Sequence, residues 1–449
     1  MVTDMTEGLI FKTLWKFTIP MLLSVMFQQL YNIADSVIAG KFVGVNALAA
    51  VGASYPITML FMAVATGLNI GCSVVISLYF GAKEYSRMKC AVSTSLFGTA
   101  GISLFLSVFG LIFCRPLLKL LHTPTDIFAD SALYLNIYVL GLLFLFLYNI
   151  CTGIFTALGD SRTPLYFLIA SSVGNIILDL VFVICFELGV AGVAWATFLA
   201  QGVSSILAFV TLKKHLIQVQ GKSEKRFSVP MLWKIMEVAV PSILQQSFIS
   251  VGNLFVQGLV NSFGSTVVAG YSAGMKVNTF AITSFTTLGN GVSSFTAQNI
   301  GAGKLKRVSD GWKCGIGLVF CVAIPVFLLF FFVGTPIIQL FVNEGGGDAL
   351  EVGVRFLRIV SPFYVVISLK LVSDGVLRGS GAMKAFMIAT FSDLILRVVL
   401  AFVLSRRLGE AGIWMSWPVG WVIGTALSLL FYGLGVWKKS PVQPVKESV

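Results

Sequence analysis

Charge is what this chain has least of. Asp, Glu, Lys and Arg make up 11% of its 449 residues against 57% hydrophobic, and the mean hydropathy is +0.92. A soluble domain carries about 25% charge, so a surface wetted all round is excluded and an integral membrane protein is the reading that remains. Histidine is scarcer still. His122 and His215 stand alone in predicted loops, which argues against a histidine metal site. The seven cysteines form no CxxC pair and mostly fall in apolar stretches, so they read as free buried thiols. No HExxH or GxSxG occurs, so the chain reads as a non-enzyme that needs no cofactor. No small-residue cleavage site follows the first apolar run, and the first helix is expected to be retained.

What is there instead is a succession of charge-free runs, such as 17–34, 42–82 and 90–114. Each covers the ~20 residues a helix needs to cross hydrocarbon, and none alternates strictly as a barrel strand would. The pattern predicts an all-α membrane protein of twelve spans: 15–38, 47–78, 91–114, 131–157, 163–186, 189–212, 235–259, 266–298, 312–335, 352–376, 384–404 and 411–437. The net charge of +12 looks at first like a nucleic-acid signal. Most of the 31 Lys and Arg fall on one side of these spans, in the groups from Lys12 to Lys16, Lys83 to Lys89, Lys213 to Lys234 and Lys304 to Lys313 and at the C-terminal end. That is the positive-inside pattern. It predicts a multi-pass protein of the inner (plasma) membrane with both termini cytoplasmic, and no nucleic-acid partner.

The two halves repeat at a shift of 220 residues. Gly71 matches Gly291, Gly81-Ala82 match Gly301-Ala302, Arg87 matches Arg307, and Gly159 matches Gly379. Further on, Leu188-Gly189 match Leu408-Gly409 and Ala191-Gly192 match Ala411-Gly412. An even number of spans per half predicts two six-helix lobes related by a pseudo-twofold axis along the membrane normal. The expected division is 1–212 for the first lobe, 213–234 for a charged cytoplasmic linker, 235–437 for the second lobe and 438–449 for a cytoplasmic tail.

Within the first span, Gln28 to Gly40 carries an ionisable residue, Asp35, with no Lys or Arg in the preceding 18 residues. A carboxylate in hydrocarbon must be paired, protonated or turned to water. Two loop motifs then specify the family: Thr156-Ala-Leu-Gly-Asp-Ser-Arg-Thr-Pro164 after the fourth span, and Gly375-Val-Leu-Arg-Gly-Ser-Gly-Ala-Met-Lys384 after the tenth. With Asp35 and Gly81-Ala82-Lys83, the chain resembles the MATE (multidrug and toxic compound extrusion) family, most closely its DinF-like bacterial branch, over roughly 10 to 437. The resemblance implies a secondary antiporter that exports amphipathic, mainly cationic, organic compounds in exchange for H⁺ or Na⁺ by alternating access. It implies a coupling site at Asp35, Asn175, Asp179 and Thr197, where Na⁺ is the candidate metal, with Gln28 and Tyr31 lining the substrate cavity.

A depth count agrees. At 1.5 Å per residue Asp35 stands ~28 Å and Asp179 ~25 Å from the cytoplasmic ends of their spans, and Thr197 lies ~12 Å below the outer face. Two neighbouring carboxylates in low dielectric would share a proton, and the same oxygens suit a hard cation. Tyr138 joins Tyr31 as a candidate ring for an organic cation.

The second half differs. Its seventh span offers Gln245, Gln246 and Ser247 and no carboxylate. Asp393 with Arg397, and Lys370 with Asp374 and Arg378, are spaced i,i+4 and read as compensated pairs, and Lys276 is expected either to pair across helices with Asp374 or Asp393 or to help gate the cavity, the structural role being favoured. The other function considered is a lipid-linked oligosaccharide or lipid flippase of the same superfamily, whose cavity would be basic. The expected partners are small organic cations and membrane lipids, with the chain acting as a monomer.

Overall fold

A backbone that crosses hydrocarbon must satisfy its own N–H and C=O groups, and this chain does so with helices alone. The structure, a computed structural model, describes residues 4–38, 42–43, 45–221, 225–342 and 347–439, with only the backbone course for 32–37 and 45–48. Among these residues the order is α1 (Ile10–Ile38), α2 (Val45–Gly81), α3 (Tyr85–Leu120), α4 (Phe128–Leu140), α5 (Leu142–Ala157), α6 (Arg162–Leu180) and α7 (Gly189–Gln218). The second half runs α8 (Val229–Asn261), α9 (Ser265–Gly301), α10 (Leu305–Phe332), α11 (Gly334–Gln339), α12 (Gly347–Val360), α13 (Tyr364–Gly379), α14 (Met383–Leu408) and α15 (Glu410–Gly433).

Ten stretches of helix are long and apolar enough to cross a membrane, and α4 with α5 forms an eleventh span bent by 48° at Gly141. The twelfth expected span is α9, which is long enough but rich in Ser, Thr, Asn and Gly. Those residues are covered by protein: from Leu288 to Ile300 only Asn290 is less than buried. Small polar side chains let helices approach closely and hydrogen-bond without meeting lipid. The second and eighth spans exceed expectation, because α2 and α9 each continue for 37 residues to the Gly-Ala turn. At 1.5 Å per residue that is ~55 Å of helix.

The chain divides into two compact units. The N-terminal unit is chiefly Leu23–Ser247, and the C-terminal unit comprises Met5–Leu22 with Phe248 onward. The first parts of α1 and α8 thus belong to units other than the one that follows them in sequence. In the N-terminal unit, Ile57, Phe61 and Leu68 of α2 pack with Leu118 of α3, Leu135 and Val139 of α4, Phe146 of α5 and Ala239 of α8. Gly71 permits this approach, since a Cβ there would stand 2.6 Å from the Ala239 Cβ. In the C-terminal unit, Leu14 and Phe17 of α1 pack with Met5, Phe295 and Leu318. The matching glycine does the same work, a Cβ on Gly291 falling 2.6 Å from Thr18. Arg307 holds the segment before α1 by donating to the carbonyls of Met5, Glu7 and Gly8, while Lys304 donates to that of Thr6.

The turns repeat in atomic detail. After α2, the N–H groups of Ala82, Lys83 and Glu84 donate to the carbonyls of Leu78, Phe80 and Tyr79; after α9, Ala302, Gly303 and Lys304 donate to Gln298, Ile300 and Asn299. Both turns place their middle residue in the left-handed region, Lys83 at φ 60° and Gly303 at φ 71°. The turn after α5 recurs after α13 with a register two residues longer, so that Gly159 (φ 76°) corresponds in conformation to Gly381 (φ 78°), not to Gly379 as the sequence match implies.

The first of these later turns is built by Asp160. Its Oδ1 accepts from the N–H groups of Arg162 and Thr163, both at 3.1 Å, and its Oδ2 from Thr163 Oγ1 at 2.7 Å, which satisfies the free donors at the start of α6. Burial would push this carboxyl up, and the hydrogen bonds overcome it and hold the group below its ordinary value. His215, which falls in the last turn of α7 rather than in the expected loop, places Nδ1 3.9 Å from Asp160 Oδ2.

Two predictions follow from the turns. Gly303→Ala adds a Cβ that meets nothing within 4 Å, so its cost is conformational alone. It should lower stability by about 1 kcal/mol, and Lys83→Gly should raise it by a similar amount, both read as thermal unfolding of the purified protein. Asp160→Ala should cost about 1–3 kcal/mol at neutral pH. Because the folded value lies below the unfolded one, that contribution is present above pH ~4 and fades as the pH falls through the folded value. The gap between wild type and variant should therefore close in acid.

Candidate functional site

The capped start of α6 sets the depth of everything that follows on it. Asn175 and Asp179 lie one turn apart on one face, and both are buried, at 2% and 0% exposure. Directly after them the helix widens into a single π turn, Val181–Cys185, a distortion often found beside functional residues. Glu187 (φ 52°) and Gly189 (φ 55°) then reverse the chain, and α7 returns against α6 to bring Thr197 to Asn175.

Asn175 is the centre of the resulting network. The orientation of its amide that satisfies every neighbour has Nδ2 donating to Asp179 Oδ2 at 3.0 Å and to the Tyr31 hydroxyl at 3.3 Å, with Oδ1 accepting from the Thr197 N–H at 3.0 Å. The Thr197 hydroxyl lies 3.4 Å from the Asn175 amide and donates to the Val193 carbonyl at 3.1 Å. Three of the four expected coupling residues, with the expected Tyr31, therefore meet in one hydrogen-bonded group. Asp35 sits on α1 one turn after Tyr31, and its side chain lies outside the described residues. Gln28 is exposed on the same helix.

A small cavity of about 10 Å³, one water in size, adjoins this group and is lined by Tyr134, Tyr138, Gly141, Thr197, Phe198 and Gln201. Tyr138 thus faces a water-sized space beside Thr197. The bend at Gly141 lies beside it, where α7 approaches so closely that a Cβ on Gly141 would stand 3.3 Å from the Phe198 ring. Sequence reasoning missed Tyr134 and Gln201; the signal that could have found them is spacing, since Tyr134 stacks on Tyr138 four residues later with 6.4 Å between centroids and Gln201 follows Thr197 by one turn. The oxygens of Asp179, Asn175 and Thr197 are hard donors of the kind that hold H⁺ or an alkali cation.

The C-terminal unit arranges charge differently. Lys370 donates to Asp374 Oδ2 at 2.7 Å, as its spacing predicts, and its ammonium also stands 3.7 Å from Asp393 Oδ2. Asp393 thus makes its short contact across helices, while Arg397 four residues on compensates it electrostatically without a salt bridge among the described residues. Arg397 also lies 4.3 Å from the centre of the Trp417 ring and donates to Asn253 Oδ1 at 3.3 Å. Arg378 donates to Asn290 and covers the Phe386 ring. Lys276 is exposed and lies over Phe341 at 5.7 Å rather than beside either aspartate. Asn149 donates to the Leu145 carbonyl of its own helix.

Known proteins share both the sequence and the fold. A family model described as MatE matches twice, over residues 20–181 and 241–403, which reproduces the internal repeat. Two probable multidrug resistance proteins of Bacillus subtilis, YpnP and YoeA, are each 29% identical, YpnP over 97% of both chains and YoeA over 96% of this chain and 95% of its own. The multidrug export protein MepA of Staphylococcus aureus is 22% identical over 90% of this chain and 89% of its own. Among solved structures, a MOP superfamily transporter from Pyrococcus furiosus superposes with a TM-score of 0.91 at 22% identity, covering 97% of this chain and 98% of that one. An outward-facing multidrug resistance MATE family transporter does so with a TM-score of 0.91 at 22% identity, covering 98% and 99%. The chain belongs to the MatE family of multi-pass membrane transporters.

Proposed function

We propose that this protein is a cation-coupled antiporter that exports amphipathic, mainly cationic, organic compounds in exchange for H⁺ or Na⁺, and that Asp35, Asn175, Asp179 and Thr197 form its coupling site. The observation that carries the reading is the hydrogen-bonded group around Asn175, in which a fully buried carboxylate is held by an amide that also binds α1 through Tyr31 and α7 through Thr197. The amide orients the Asp179 carboxylate while its own bonds to Tyr31 and Thr197 fix the amide. A proton or Na⁺ arriving at the carboxylate changes its demand for donors, and Asn175 passes that change to α1 and α7. Protonation removes an acceptor lone pair from Asp179 and weakens the hold on the amide, whereas Na⁺ draws the same oxygens inward.

The energetics are adequate. One charge moving inward through the membrane field supplies ~2.3 kcal/mol per 100 mV, and a concentration gradient of the ion adds to it. Tyr31, Gln28 and Tyr138 would meet the organic cation, the two rings through their faces. The protein would act as a monomer in the plasma membrane with both termini cytoplasmic, as the positive-inside pattern predicts. The likeness to multidrug resistance and export proteins supports the substrate class.

The test is ethidium efflux from cells expressing the wild type, Asp35→Asn, Asp179→Asn or Asn175→Ala, with pH and Na⁺ varied separately. Wild type should extrude the dye under one gradient, which names the ion, and both aspartate variants should fall to the level of cells without the protein while still reaching the membrane. Asn175→Ala should retain part of the activity and shift its dependence on the ion. Extrusion by Asp179→Asn at the wild-type rate would remove the site. No extrusion by wild type under any gradient would remove the drug reading and leave flipping of a lipid-linked substrate as the activity to measure.

A further inference from the structure

A buried carboxylate pair must share a proton or be met by a cation. In the C-terminal unit the chain supplies one. Lys370 is 2% exposed, Asp374 3% and Asp393 5%, and the ammonium stands 2.7 Å from one carboxylate and 3.7 Å from the other. Asp374 is fixed in that position by Ser428, which donates to its second oxygen. The second oxygen of Asp393 is buried with no hydrogen-bond partner among the described residues.

Helix α15 lies directly over this group because two of its residues have no side chain. A Cβ on Gly424 would fall 2.7 Å from Lys370 Cε and 2.9 Å from Asp393 Cβ, and one on Gly420 would fall 2.7 Å from Asp393 Oδ1. The two other charges that face the group, Arg397 and Arg378, are held by Trp417 with Asn253 and by Phe386 with Asn290. Neither makes a salt bridge to Asp374 or Asp393 among the described residues.

We propose that Lys370 is the resident cation of a closed alkali-cation site formed by Asp374, Asp393 and Ser428, and that its tether keeps external ions out of the C-terminal unit. A primary ammonium is a compact monovalent cation, and here it occupies the point on which two carboxylate oxygens converge. Arg397 and Arg378 act on Asp393 and Asp374 electrostatically without a salt bridge to either among the described residues, so removing Lys370 takes away the one cation in contact with both carboxylates, and a proton or an ion is expected to fill its place. Lys370→Met shortens the side chain by one atom, so the vacated space is that of the ammonium. The consequence that ion coupling is confined to the N-terminal unit rests on the reading of Asp179 given above; the ion-binding consequence does not.

The experiment uses the full-length protein in nanodiscs, in an Asp179→Asn background, with NaCl matched against choline chloride. In that background the unfolding temperature should not respond to Na⁺. Adding Lys370→Met should make it rise saturably with Na⁺ by about 2–5 °C, and further addition of Asp393→Asn should abolish the rise. A Na⁺ response already present in Asp179→Asn counts against the coupling reading alone, because the present proposal is read from the increment that Lys370→Met adds. A folded Lys370→Met protein that ignores Na⁺ and K⁺ and is stabilised by acid instead overturns it, since the carboxylates then protonate. Should Lys370→Met not survive purification, Lys370→Ala is expressed and extracted in choline, Na⁺ or ethylammonium. Recovery of folded protein in Na⁺ or ethylammonium supports the site, and equal failure in all three overturns it.

Discussion

Every polar group within the membrane must find its partner inside the protein, and the rest of this structure follows from that requirement. It makes the spans helical, and it explains why the most polar long helix, α9, is also one of the most protein-covered. Serine and threonine along the chain return their hydroxyls to carbonyls three or four residues earlier, as Thr18, Thr152, Ser284 and Thr287 do. A hydroxyl satisfied by its own helix makes no demand on lipid. Charge cannot be settled so locally, and it is the placement of charge that distinguishes the two halves.

In the N-terminal unit a buried aspartate accepts from an amide that also meets the Tyr31 hydroxyl and the Thr197 N–H, and one turn of α7 further on Gln201 lies beside a water-sized cavity. In the C-terminal unit a pair of aspartates is locked by a lysine, with arginines held by rings on either side. The hydrogen bonds of the first arrangement reach three helices. The second has its compensation built in at short range, and glycines press a fourth helix onto it. A buried pair of the second kind specifies one packing and resists rearrangement, because breaking it leaves an uncompensated charge.

Much of this was legible in the residues. Gaps in charge located all twelve spans to within several residues, and loop glycines revealed the repeat. Asn175 and Asp179 could be placed on one face of a helix by counting. What sequence spacing did not reveal was contact between helices. The i,i+4 order of Asp393 and Arg397 is favourable along α14, yet Asp393 pairs with Lys370, because a neighbour across a helix interface can be closer than one a turn away. Lys276 shows the same limit: its place in a long span implied burial, whereas its side chain is exposed over Phe341. The bend at Gly141 and the division of α1 and α8 between units likewise depend on packing that no local window contains.

The repeat itself separates what the backbone requires from what the chemistry requires. Positions that hold the left-handed conformation recur at 220 residues, Lys83 with Gly303 and Gly189 with Gly409, and so do the close-approach glycines Gly71 and Gly291. These are steric demands of a turn or of two helices in contact, and any sequence that keeps the fold must meet them. The polar and charged positions buried in the spans do not recur: Asn175 and Asp179 correspond at that shift to Ile395 and Val399, and Lys370 and Asp374 to Ile150 and Ile154. A carboxylate in a dry interior is tolerated only where neighbours from other helices already compensate it, so its position can change only together with theirs. A common scaffold with two separate electrostatic solutions is therefore what a duplicated membrane fold permits: an amide network around one aspartate in the first half, and an ammonium between two aspartates in the second.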